Sequence, residues 1–133
     1  MAHVWTMVEL LAAYDMKPHE EGGYYRELWA NGSASQIYYL LAAGETGAWH
    51  RIQSEEVWFW HHGAAAEIRL GGVGEEPVWT ASHLLGRSDD FSFRIPPNTW
   101  QQTENKGKDF AFFSCITIPA YRREELELVR RDL

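Results

Sequence analysis

Beyond residue 23 the chain reads as short runs of β-favouring residues, several alternating apolar with polar positions and most ended by Gly, Asn or Pro. The runs lie at 24–29, 36–41, 56–60, 66–70, 78–81, 91–95, 100–103 and 109–118, with breaks at Asn31-Gly32, Gly44, Gly63, Gly71-Gly72, Gly86 and Pro96-Pro97. Period-two alternation over such lengths, with turn residues between, predicts strands, and their close spacing predicts a sandwich or barrel. No helical pattern separates them, so a parallel α/β sheet is excluded. Ahead of the strands, Thr6-Met7-Val8-Glu9 has the form of a capping box, and Met7, Leu10, Leu11 and Tyr14 follow at helical spacing. This predicts one amphipathic helix over 6–14, ended near Lys17-Pro18. After Arg122 charges of both signs dominate, and Glu124-Glu125-Leu126 predicts a short helical turn on a solvated face.

The 133 residues are read as one domain over 1–133, with the barrel at about 19–120. A hydrophobic fraction of 45% allows a packed core, and seven Trp, six Tyr and six Phe favour strands and an aromatic-lined pocket. The net charge of −7, with no basic block, argues against nucleic acid and against an acidic membrane surface as partners. A single cysteine, Cys115, excludes an intrachain disulfide, and its apolar setting predicts a buried structural thiol. Residues 1–7 lack the pattern of a signal peptide, so a cytoplasmic protein is expected.

Three residues can form a polar constellation. His50 and Ile52 share a face if their stretch is extended, because strand residues two apart point the same way. Glu56 opens the next strand across a short turn and can face His50, while Gln101, on a later strand, can close the ring. An imidazole beside a carboxylate is a candidate acid–base pair. His61-His62 cannot chelate one ion, because neighbours on a strand point to opposite faces, and His3 and His83 are read as solvated. Gly22-Gly23 is read as a bend or bulge. Tyr25 and Arg26 are candidates for the pocket mouth, with the arginine able to hold an anionic group. Tyr39 and Trp58 are candidates for stacking on a ligand if they face inward near His50.

The spacing of Gly44, His50, Glu56 and Gly63 resembles the first cupin motif, with Ile52 at the place of its second histidine. Pro96, Asn98 and Gln101 stand at the positions of the second motif. The blocks at 19–27, 37–41, 50–58, 96–101 and 114–119 resemble, in order, the small cupin group catalogued as domain of unknown function 985, across nearly all of 6–128. Glu20, Phe59 and Ala120 depart from the residues usual in that group. The resemblance implies an all-β, cupin-type jelly-roll barrel, commonly a homodimer, holding a small-molecule ligand. Many cupins bind one divalent metal, so His50, Glu56 and Gln101 are also candidate, weak ligands for Fe, Mn, Ni or Zn. Three functions follow as expectations: an isomerase, epimerase or lyase of a small polar metabolite using His50 and Glu56, a non-catalytic binder of a sugar-like ligand, and a metal-dependent oxygenase.

Overall fold

A computed structural model describes residues 3–87 and 90–129. The capping box forms as expected: the Thr6 hydroxyl accepts from the Glu9 amide at 3.2 Å, and the Glu9 carboxylate accepts from the Thr6 amide at 3.1 Å. These bonds satisfy amides that the first turn leaves without partners. Helix α1 (Met7–Ala13) is brief and stops at Tyr14, beyond which Asp15 adopts a φ of 47°. Lys17–Pro18, expected to end the helix, form a first strand, β1.

The strands that follow are β2 (Tyr24–Ala30), β3 (Ser35–Leu41), β4 (His50–Arg51), β5 (Glu55–Gly63), β6 (Ala66–Leu70), β7 (Ala81–Leu85), β8 (Ser92–Ile95), β9 (Gln101–Glu104), β10 (Ala111–Ile118) and β11 (Glu127–Leu128). They pair antiparallel into a six-stranded sheet, β1-β2-β3-β10-β5-β8, and a five-stranded sheet, β11-β4-β9-β6-β7. This is the jelly-roll barrel expected, with a single turn of 3-10 helix at Arg123–Glu125. The strand expected at 78–81 lies later, at β7. Val78 and Trp79 are exposed, and the Trp79 ring lies under the Arg69 guanidinium at 4.4 Å. Stacking by a cation, rather than a ladder, accounts for the aromatic in that loop.

Period-two alternation decides what fills the barrel. Every second residue of β3 (Ser35, Ile37, Tyr39, Leu41) and of β10 (Ala111, Phe113, Cys115, Thr117) turns inward. At one end Tyr39, Leu41, Trp58, Ile68, Leu85, Ile95 and Phe113 pack into the main core. The intervening residues Leu40 and Phe112 face outward, where α1 covers them with Leu10 and with Met16 just beyond the helix. At the other end the inward positions turn polar, and there a cavity opens.

Candidate functional site

The cavity measures about 120 Å³. At 10–15 Å³ per water that is room for roughly eight to twelve waters, or one small metabolite. Tyr25 and Glu27 of β2, Ile37 of β3, Cys115 and Thr117 of β10, Glu56 of β5, and His50 and Ile52 on or just after β4 form its walls. His19, Glu21 and Tyr121 enter from loops.

The register explains the convergence. His50 is the direct partner of Gln101 across β4 and β9, and the Gln101 amide donates to a Glu56 oxygen at 2.8 Å. All three are buried: His50 is 6% exposed, Glu56 8% and Gln101 1%. The structure therefore brings the three polar residues singled out in the sequence together inside the barrel.

It also supplies a partner that the sequence did not point to. Glu21 Oε2 lies 3.0 Å from His50 Nε2, while His50 Nδ1 lies 3.0 Å from the Ala48 carbonyl oxygen. Both ring nitrogens face acceptors, so the doubly protonated ring satisfies both. Burial alone would lower the His50 pKa; the Glu21 carboxylate beside it wins and raises it to about 9. Burial likewise opposes ionisation of Glu21, but the charge and hydrogen bond of His50 hold it below the usual range. Glu56 goes the other way: burial, then the charge of Glu21, push it up, against the weaker pull of His50 and the Gln101 amide. The Trp58 indole N–H leans toward Glu56 without closing a hydrogen bond.

Glu21 reaches His50 because of its two glycine neighbours. Gly22 and Gly23 have φ of 104° and 73°, and a Cβ on Gly23 would sit 2.7 Å from the Tyr39 hydroxyl. Only glycine fits there without strain. Tyr39 Oη donates to the Gly22 carbonyl at 2.6 Å, and the Ala48 amide donates to the Glu21 carbonyl at 2.6 Å, so the loop is pinned on both sides. The signal for Glu21 was the Gly-Gly pair after it, which marks a required backbone path but names no side chain.

Several candidates need correction. Tyr25 lines the cavity, but Arg26, next along the same strand, points away and lies 3.7 Å from Asp15. Alternation forbids both from facing inward. Tyr39 and Trp58, expected as stacking surfaces, sit in the core beneath the cavity at 2% and 1% exposure; Tyr39 instead anchors the Glu21 loop. His83 is not simply solvated: it stacks on Phe93 at 4.1 Å, with a ring nitrogen 2.8 Å from Asp90. His61 Nε2 lies 2.8 Å from the Ser114 hydroxyl, outside the cavity. Trp100 is no part of the cavity lining; its ring lies under the Arg51 guanidinium at 4.5 Å.

The donor set does not suit a divalent metal. Both nitrogens of His50 are engaged and the Gln101 amide group is turned to Glu56. Among the described residues no three His, Cys, Asp or Glu side chains converge as ligands. Tight sites offer about three good protein ligands.

With this geometry in hand, three comparisons bear on the chain. A family model described as "Cupin superfamily (DUF985)" matches residues 8–129. Among solved structures, a protein from Shewanella oneidensis superposes with a TM-score of 0.85 at 22% identity, covering 95% of this chain and 85% of the other. A hypothetical protein from Leishmania major gives 0.79 at 19% identity, covering 92% and 86%. KdgF from a Halomonas species gives 0.64 at 16%, covering 85% and 92%. No curated protein matches the chain. At these identities the superpositions establish the fold alone. Among the described residues no helix is long and apolar enough to cross a membrane.

Proposed function

As the chain belongs to the cupin superfamily, in the group catalogued as domain of unknown function 985, we propose that its barrel binds a small polar metabolite and moves a proton at a carbon next to a carbonyl. The observation that carries this is a buried, charged His50–Glu21 pair on a cavity wall that also holds a carboxyl of raised pKa. Two carboxyl groups pushed in opposite directions within one pocket, Glu21 down and Glu56 up, are an arrangement suited to acid–base catalysis. Glu56, raised toward the working pH, takes the proton from carbon. The electron pair of that C–H bond shifts to the carbonyl oxygen, where the positive charge of the buried His50 imidazolium, on the cavity wall, stabilises the developing enolate. Where the attacked carbon bears a hydroxyl, passage of the hydroxyl proton to the former carbonyl oxygen and return of the carbon-bound proton to the former carbonyl carbon gives an isomerase. Delivery of a different proton to the opposite face, from a hydroxyl such as that of Tyr25 or Tyr121 in the cavity lining, gives an epimerase. Glu21 is a positioning residue: it keeps the ring charged and fixes its orientation.

The test is deuterium wash-in followed by proton NMR, with hydroxyacetone and dihydroxyacetone as probes in D2O. The protein is expected to speed exchange next to the carbonyl, and His50→Gln or Glu56→Gln to slow it by about a hundred-fold or more. Binding of the probes without exchange overturns the catalytic reading and leaves a ligand-binding barrel.

A further inference from the structure

A carbonyl oxygen seated in the cavity gains most from a hydrogen-bond donor that the protein has not already used. His50 does not supply one: its Nε2 lies 3.0 Å from Glu21 and its Nδ1 3.0 Å from the Ala48 carbonyl, so it acts through its charge. The Thr117 hydroxyl is paired with that of Ser35 at 2.6 Å, and the buried Cys115 thiol is a weak donor. Among the described residues that line the cavity, His19 is the remaining nitrogen donor.

The loop at 19–23 fixes which of its nitrogens carries the proton. The His19 amide donates to the Gly23 carbonyl at 2.9 Å, and the Gly22 amide donates to the His19 carbonyl at 3.0 Å, which closes a tight turn. Within that turn the Glu21 amide donates to His19 Nδ1 at 3.2 Å. A backbone N–H can only donate, so Nδ1 presents its lone pair and the ring proton sits on Nε2. The Glu21 carboxylate lies farther from Nδ1, at 3.8 Å, and is already taken by His50 at 3.0 Å. Tyr25 meets the imidazole edge-on at 4.8 Å and Tyr121 at 6.3 Å, and these rings hold its plane. Although the side chain is only 10% exposed, its Nε2 has no partner among the described residues and is not one of the atoms sealed from solvent. It therefore opens on the cavity that the ring lines. One loop thus delivers two groups to the site, the Glu21 carboxylate to His50 and the His19 N–H to the cavity.

We propose that His19 is a further catalytic residue, which seats the carbonyl oxygen of the ligand by donating its Nε2–H, while His50 supplies a fixed charge and Glu56 takes the proton from carbon. This rests on the reading of the cavity as a proton-transfer site and adds to it a group in contact with the substrate. A donor whose proton is already placed needs no reorganisation as the oxygen gains charge. The hydroxyls of Tyr25 and Tyr121 can turn to donate or to accept, but the His19 proton stays on Nε2 for as long as the Glu21 amide points at Nδ1.

Two substitutions separate this role from that of a residue that only pins the loop. His19→Asn keeps an acceptor near the Nδ1 position but no donor at the Nε2 position, and His19→Gln does the reverse. With dihydroxyacetone in D2O, His19→Asn is expected to slow exchange about a hundred-fold, as loss of one oxyanion donor does, and His19→Gln to keep more of the rate. A second readout needs no turnover: the carbon-13 resonance of carbonyl-labelled hydroxyacetone should move downfield on binding, and by less in His19→Asn than in His19→Gln. If His19→Asn does not fold, the nitrogen-15 shifts of the wild-type imidazoles decide, and a His19 proton found on Nδ1 overturns the proposal. So does a folded His19→Asn that exchanges as fast as His19→Gln or faster, which leaves His19 a loop pin and proton transfer intact. A carbonyl shift that depends on His19, without any exchange, overturns proton transfer and keeps the seat. Failure of both probes to bind overturns the two together.

Discussion

The two ends of this barrel are built from the same strands and do opposite things. On β3, Tyr39 and Leu41 are sealed in the core while Ser35 and Ile37, on the same face, line the polar cavity or close it off. On β10, Ala111 and Phe113 are core and Cys115 and Thr117 are cavity wall; on β5, Trp58 lies below and Glu56 above. Alternation chooses which residues face inward, and position along the strand chooses what surrounds them. The apolar end gains stability from burial. The polar end loses some of it through desolvated charge and offsets that loss with the His50–Glu21 contact. Stability and chemistry are therefore separable, and mutations at the two ends should behave differently.

The largest effect is expected at the closed end. Phe113 is 0% exposed and meets the Trp58 ring edge-on at 5.2 Å. Phe113→Ala should cost about 3–5 kcal/mol in denaturant unfolding, from lost transfer energy and the void left behind. Four residues further along β10, the Thr117 hydroxyl meets that of Ser35 at 2.6 Å. Thr117→Val should cost only about 1 kcal/mol. Equal losses at the two positions would contradict the division into a stabilising end and a tuned one.

Most of the barrel was legible because its signal is local. The runs at 24–29, 36–41, 66–70 and 109–118 carry their alternation in their own residues, and their strands follow within a few positions. The run at 78–81 misled because Val78 and Trp79 look like strand but serve a loop whose tryptophan stacks with Arg69. His50, Glu56 and Gln101 were legible through spacing. Glu21 was not, because nothing local marks a loop carboxylate as the neighbour of a histidine 29 positions on. The two strands of two residues that hold the His50 segment, β4 and β11, are too short to show a period.

The next effect sharpens the comparison from the polar side. His50 has its pKa raised to about 9 from an ordinary 6.5. A group raised on folding contributes stability that is fully present below its unfolded pKa and lost as pH climbs through the folded one. Stability should thus fall between about pH 6.5 and pH 9, by on the order of 3 kcal/mol if the whole shift acts on folding. Glu56, also raised, adds a loss in the same direction at lower pH, whereas Glu21, lowered, gives up its contribution only on acidification. Glu21→Gln removes the partner that outweighs burial, so the His50 ring, followed by its NMR titration, should fall from about 9 to below its ordinary value. A His50 that still titrates near 9 in that variant would show that some other group keeps it charged.

The smallest effect concerns how the His50 strand is held. β4 meets β9 through one residue pair and β11 through two, far less than the eight pairs between β10 and β5. Arg51 makes up the difference: its guanidinium donates to Glu127 at 2.7 and 3.2 Å, to the Gly74 carbonyl at 2.7 Å and to that of Val73 at 3.2 Å, while lying 4.5 Å over the Trp100 ring. One planar cation thus ties the last strand, the 71–74 loop and Trp100 to the residue beside His50. Because Glu127 is about half exposed, at 53%, Arg51→Ala should cost only about 1 kcal/mol globally. Its local consequence should be clearer, with faster amide exchange at 50–51 and 127–128 and none at the core amides of β10. Arg51→Lys should restore only part of that protection, since an ammonium cannot reproduce the fork or the stacking. Unchanged exchange at those amides in Arg51→Ala would mean that the few ladder bonds of β4 hold His50 without help, and that the polar end is stiffer than its short strands imply.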